Sequence, residues 1–217
     1  MRNTIATVGP LTTASATAVC ASQTPTAAAG FTINGGSASG GVATLDTARR
    51  VLFTPSGDES ANTFTVVGTA LNGTSQTEVI AGKNATTFYT NLDFKTVTSI
   101  SLASNAAAAI TVGTNTVASS PWVRMDDYAN AQVAIGTYVT GTVNYTIQGA
   151  YLDPNAPGYT IAPYNVPWIN STDSGAVSQT AAIQTTYAIA PTFIRCLLNS
   201  GSGTVATSIT QYGMVSQ

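Results

Sequence analysis

The side chains of this chain best suited to move a proton near neutral pH are its carboxylates. Asp58-Glu59 and Asp126-Asp127 stand as pairs, and Asp46, Glu78, Asp93, Asp153 and Asp173 stand singly. Two carboxylates facing each other across a sugar are the machinery of glycoside hydrolysis, one as acid and the other as base or nucleophile. The chain has no histidine, which removes the usual general base, the Ser-His-Asp and Cys-His arrangements and the commonest metal ligand. Spacing marks no two of the carboxylates as partners, and "SGDES" reads as a turn. The sequence therefore reads as that of a non-enzyme, with no catalytic residues and no cofactor.

Oxygen ligands for calcium are the next chemistry to consider, since acidic residues in β-sandwich loops often hold that ion. Asp126, Asp127 and Asp153 are the candidates, but no contiguous D-x-D-x-D run is present, and solvated loops and strand ends account for them. Cys20 and Cys196 lie far apart in sequence, and the reading is two free, partly buried thiols in a reducing compartment. Sequons at Asn72, Asn84, Asn144 and Asn170 are what chance supplies in a chain this rich in Thr and Ser.

Charged residues make up only 7% of the 217 residues, against about 25% in an average soluble domain. Seven Lys+Arg and nine Asp+Glu give a formal net charge of −2. The only basic cluster is Arg49-Arg50, and a nucleic-acid backbone asks for several cationic contacts, so no direct nucleic-acid binding is expected. Apolar residues come in short runs, far from the roughly 20 needed to span a bilayer, and no membrane association is expected. The opening "MRNTIATVGPLTT" lacks the apolar core of a cleaved signal.

The elements that must position any site read as strands. "NTFTVVGTAL", Asn72-Gly73 and "TSQTEVIAG" form the strongest short-range hairpin signal, a type I′ turn with positive φ at both central residues. "RRVLFTP", "TTFYTNL", "FKTVTSISLA" and "AITVG" are further strands. After "NTVASSP" come "VRMDDY", "AQVAIGTYV", "TVNYTIQGAYL", "TFIRCLLN" and "TVATSITQY". Residues 153–174 carry Pro154, Pro157, Pro163 and Pro167 and read as a surface excursion or an edge element. No segment holds a 3.6-residue apolar period over three turns, although Ala106 to Ala109 has helix propensity. The fold class is all-β: two tandem β-sandwiches, jelly-roll-like or Ig-like, over residues 1–118 and 119–217, with one large elaborated sandwich as the alternative.

Residues 137–154, "TYVTGTVNYTIQGAYLDP", read as one long strand. Val139, Val143, Tyr145 and Ile147 occupy one parity, and Tyr138, Thr140, Thr142, Asn144, Thr146 and Gln148 the other. That second face is uncharged and costs little to desolvate compared with Lys or Glu, which suits permanent contact with other subunits. The candidate contact residues are Tyr138, Thr140, Thr142, Asn144 and Thr146, with the aromatics Trp122, Tyr159, Tyr164 and Trp168. Aromatic side chains dominate interface energetics; packing that pins a loop onto the sandwich is the plainer reading of Trp122, Tyr159, Tyr164 and Trp168, and a sugar platform comes third.

The series "RRVLFTPSGDESANTFTVVGTALNGTSQTEVIAG", "FYTNLDFKTVTSISL", "AITVG", "SPWVRMD", "VTGTVNYTIQGAYLDP" and "IRCLLNSGSGTVATSITQ" resembles a recurrent group of tailed-bacteriophage structural proteins of unassigned role. The order of its pieces across roughly Arg49 to Pro154 carries the likeness. The resemblance implies a virion component built from β-sandwiches, assembled in the host bacterial cytoplasm, with no catalytic residues to transfer. It implies partners among the major capsid protein or other virion subunits, and a homo-oligomer. Three roles follow as expectations: a capsid decoration or cement protein first, a tail, head-tail ring or fibre-base component second, and a lectin-like module binding host glycan through Trp168 third.

Overall fold

Strand propensity and turn chemistry alternate along the whole chain, and the computed structural model, which describes residues 2–126, 131–158 and 161–211, is correspondingly all-β. The strands are β1 (Arg2–Val8), β2 (Cys20–Gln23), β3 (Ala38–Ser39), β4 (Val42–Arg49), β5 (Val51–Pro55), β6 (Thr63–Thr69), β7 (Ser75–Ala81), β8 (Phe88–Tyr89) and β9 (Phe94–Leu102). They continue as β10 (Ile110–Thr114), β11 (Ala118–Ser119), β12 (Val123–Arg124), β13 (Val133–Thr140), β14 (Val143–Ala150), β15 (Ile169–Asn170), β16 (Gln184–Tyr187), β17 (Phe193–Gly201) and β18 (Thr204–Gln211).

The chain divides into two units, but not as two consecutive halves. Residues 12–115 form one unit, and residues 1–11 join residues 116–217 in the other. The expected break near Ser119 thus falls at 115/116, and the first strand leaves the N-terminal half altogether. Its reason is register: β1 pairs antiparallel with β18 from Arg2↔Gln211 to Val8↔Val205. Pattern alone could not place this segment, because pairing across some 200 residues leaves no local mark.

In the terminal unit, sheet I runs β1-β18-β13-β16, and sheet II runs β11-β17-β14-β15 with β12 also on β17. Alternate residues of both sheets meet in one core, with Ala6, Ile135, Val205 and Ile209 from sheet I and Tyr145, Ile147, Ile194 and Cys196 from sheet II. In the inserted unit, sheet III runs β2-β10-β5-β8 and sheet IV runs β3-β4-β9-β6-β7. Its core is aromatic: Phe53 stacks on Phe88 at 5.0 Å, and Phe64 of sheet IV lies 5.3 Å and 5.2 Å from these two rings of sheet III. Each unit is therefore a two-sheet sandwich.

The hairpin β6–β7 forms as expected, from Thr63↔Ala81 to Thr69↔Ser75. Its turn is different. Ala70 accepts from Gly73 N and donates to Thr74 O, and of the turn residues only Gly73 has positive φ, at 82°. This is a three-residue connection closed by a left-handed glycine rather than the two-residue type I′ turn. The Ala-rich stretch forms no helix, because the N–H groups of Ala107 and Ala108 point at the buried carboxylate of Glu59.

Candidate subunit-contact surface

Residues 137–154 do not form one strand. At Gly141, φ 78°, the chain leaves sheet I and continues into sheet II as β14. β13 and β14 are never paired with each other, and the uncharged face read from the sequence is split between two sheets. The two parts meet different surroundings.

On β13, Tyr138 and Thr140 are exposed, Tyr138 at 68%, and Thr142 in the connection is exposed as well. On β14, Thr146 is 3% and Gln148 8% exposed, and Asn144 is half-buried. What covers them is the chain itself, through Asn170, Ser178 and the β17 residues Arg195 and Asn199. Ser178 N donates to Thr146 Oγ1, Asn199 Nδ2 donates to both Thr146 and Asn144, and Asn144 Nδ2 donates to Ser178 O. Gln148 gives its amide N–H to Asn170 Oδ1 at 2.8 Å and takes one from Arg195 Nε at 2.9 Å. Asn144 and Thr146 are therefore withdrawn as contact candidates: their hydrogen-bonding capacity is used within the chain.

The excursion is anchored by aromatic packing. Trp122 and Trp168 meet edge to face at 5.0 Å, Phe193 lies 5.9 Å from Trp122, and the Arg195 guanidinium sits 4.1 Å over the Trp168 ring. Ala150, Val166 and Phe193 complete this small core. Both tryptophans are half-buried, so they pin the loop, and one face of Trp168 is already taken by a cation where a sugar ring would need to stack. Tyr164 is half-buried in the 3-10 turn Pro163–Asn165, and Tyr159 lies outside the described residues, as does Asp127. Below the excursion, Tyr145 is buried on β14 with its hydroxyl 2.6 Å from Thr137 Oγ1 and donating to Ala181 O at 2.7 Å.

Five charged side chains among the described residues are buried: Arg49, Arg50, Glu59, Glu78 and Arg195. Arg49 is fully buried and donates to Thr12 O, Asp46 and Asn115 O. Burial raises the Asp46 pKa, but the Thr12 N–H and the Arg49 guanidinium outweigh it and hold the carboxyl below its ordinary value. Arg50 lies 5.5 Å over the Tyr89 ring and 4.0 Å from Asp93. Glu78, fully buried, accepts from Asn91 N and Leu92 N at 2.7 and 2.8 Å; burial nevertheless raises its pKa, outweighing these N–H groups and Arg50. Glu59 accepts from Ala107, Ala108 and Asn62. Asp58 closes a turn onto Ser60 N, Asp173 takes the hydroxyl of Thr185 at 2.6 Å, and Asp153 pairs with Arg124 at 3.3 Å. Among the described residues no three His, Cys, Asp or Glu side chains converge on a metal position. Cys20 and Cys196 are free, each buried in the core of its own unit, and burial pushes both thiols up to about 12.

The outer face of sheet I, by contrast, is neutral. Across sheet I run the rows Asn3–Thr210–Ala134–Thr186, Ile5–Ser208–Gly136–Gln184 and Thr7–Ala206–Tyr138, then Thr204–Thr140. None of these residues is charged, and Ile5 is 67% exposed. Part of sheet IV is of the same kind, with Val79–Thr65–Ser101 and Thr77–Val67–Ser99 in register across β7, β6 and β9, while Asp46 is exposed on β4. Sequence reading found only the β13 strip of this surface. The Thr/Ser alternation in "TFTVVGT" and "KTVTSIS" was the available signal for sheet IV, whereas β1 and β16 join the sheet I face only through long-range pairing.

Comparison of the chain with known protein families, characterised proteins and solved structures yields no match.

Proposed function

We propose that this chain is a non-enzymatic structural subunit of a tailed-bacteriophage virion, a decoration protein that lies on the capsid shell through its neutral sheet faces. The observation that carries this reading is the charge-free outer face of sheet I, which includes Tyr138 and Thr140. Such a surface is inexpensive to desolvate, and interface cores are depleted of charge. Sequence order across roughly Arg49 to Pro154, which resembles phage structural proteins, supplies the virion context. Adding buried area across capsid subunits stabilises the shell by mass action.

The test is the copy number of this chain in purified particles, by quantitative mass spectrometry against the major capsid protein. A ratio between one to one and one to three is the expected result for a decoration protein. A few copies per hundred capsid subunits would move the protein to the tail or the head-tail ring, and complete absence from particles would sink the virion reading. Thr140→Lys is expected to lower occupancy on the particle without unfolding the chain, since that side chain is exposed.

A further inference from the structure

Among the described residues two seven-residue strands form open edges, and they are built differently. β7 ends sheet IV and points a charged residue inward: Glu78, fully buried, bonded to the 91–92 backbone. Inward charges on edge strands are a recognised guard against edge-to-edge pairing. β1 ends sheet I and has no such guard among residues 3–8. Its register with β18 runs without a bulge, residues 3–8 hold neither charge nor proline, and among the described residues nothing pairs with its outer side. The remaining edge strands are two to four residues long.

We propose that β1 is a self-association site, pairing antiparallel with β1 of a second copy of this chain about a two-fold axis through Ile5. The occupant follows from the strand itself. Full overlap of Arg2–Val8 with its own reverse places Ile5 opposite Ile5, Asn3 opposite Thr7 and Thr4 opposite Ala6. Outward residues then meet outward residues and inward meet inward, so both faces of sheet I run unbroken across the axis. No like charges oppose one another between residues 3 and 8, and the 67% exposed Ile5 gains an apolar neighbour at the centre. A two-fold contact of this kind is isologous and closes as a dimer. The proposal does not depend on what the outer face of sheet I meets, and it holds for the isolated chain.

The register makes the test specific. In the full chain under a mild oxidant, Ile5→Cys is expected to give a covalent dimer, because directly opposed residues have Cβ atoms about 4.5–5.5 Å apart. Asn3→Cys alone and Thr7→Cys alone are expected to stay monomeric on denaturing gels, whereas a mixture of those two variants cross-links. Cys20 and Cys196 are buried and do not compete. In sedimentation the unmodified chain is expected to dimerise with rising concentration, and Ile5→Lys to lose that dimer with an unchanged unfolding midpoint. Failure of Ile5→Cys to cross-link, or equal cross-linking of all three single variants, overturns the proposal; neither result touches the copy number in particles.

Discussion

In the inserted unit, loops are anchored by acidic and basic side chains. Arg49 joins Thr12 and Asn115, the first and last residues of the unit, to Asp46, while Glu59 and Glu78 each gather a pair of backbone N–H groups from a loop. In the terminal unit, anchoring relies mainly on neutral groups and ring faces: the Tyr145 hydroxyl, the Gln148 amide, and Trp168 between Trp122 and Arg195. Both units keep neutral rows on an outer sheet face, sheet I in one and the β6, β7 and β9 part of sheet IV in the other. They differ in how they fail, because a buried ion that loses its partner is far more costly than a lost ring contact.

Arg49→Met puts the largest strain on that difference. It removes a buried cation, leaves two carbonyls without their donor and strands Asp46, whose carboxylate is only partly solvated. An expected loss of about 3–5 kcal/mol follows from breaking a buried ion pair on one side. Arg124→Met is the matched control: its ion pair with Asp153 is 55% exposed on the arginine side, and exposed pairs contribute roughly 0–1 kcal/mol. Urea unfolding of the full chain reads both. Equal losses would show that burial of Arg49 is not what matters.

Trp168→Ala is the corresponding cut in the terminal unit. Full truncation of a buried Trp costs about 3–5 kcal/mol, and half-exposure brings the expectation to about 2 kcal/mol. The loss should be local: faster proteolysis between β14 and β16, with the core of sheets I and II intact. Protease digestion under native conditions, compared with Arg49→Met, distinguishes a loosened excursion from a destabilised unit. A global loss of protection in Trp168→Ala would erase the contrast between the two anchoring modes.

Much of the fold was legible because its signals are local. Alternation marks β6, β7, β9, β13, β17 and β18, and Asn72-Gly73 marks a hairpin. Where the reading failed, the deciding interaction was remote or alternation continued through a change of sheet. β13 and β14 share one unbroken period across Gly141, and only tertiary pairing shows that they part. Likewise "Arg49-Arg50" reads as the one basic cluster, and nothing local shows that both side chains are buried, where Asp46 and the 12 and 115 backbone meet the first and Tyr89 and Asp93 the second. The polar face was found in type but only half in place: Tyr138, Thr140 and Thr142 remain open, while Asn144, Thr146 and Gln148 face residues 170–199, a covering that no strand period encodes.

The smallest effect separates two carboxylates within the inserted unit itself. Glu78 holds its proton to higher pH when folded than when unfolded, because burial outweighs the N–H groups around it. Its contribution to stability is therefore complete below the ordinary glutamate pKa and is lost as pH rises through the folded value. Asp46, held low by Thr12 and Arg49 against its burial, contributes in the opposite sense, fully above its ordinary pKa and progressively less as pH falls through the folded value. Urea midpoints from about pH 3 to pH 8, a range spanning both carboxyl types, should show the wild-type advantage over Asp46→Asn widening with pH. The wild-type advantage over Glu78→Gln should shrink across the same range. Two gaps moving in the same direction would mean that the Asn91 and Leu92 N–H groups, not burial, govern Glu78.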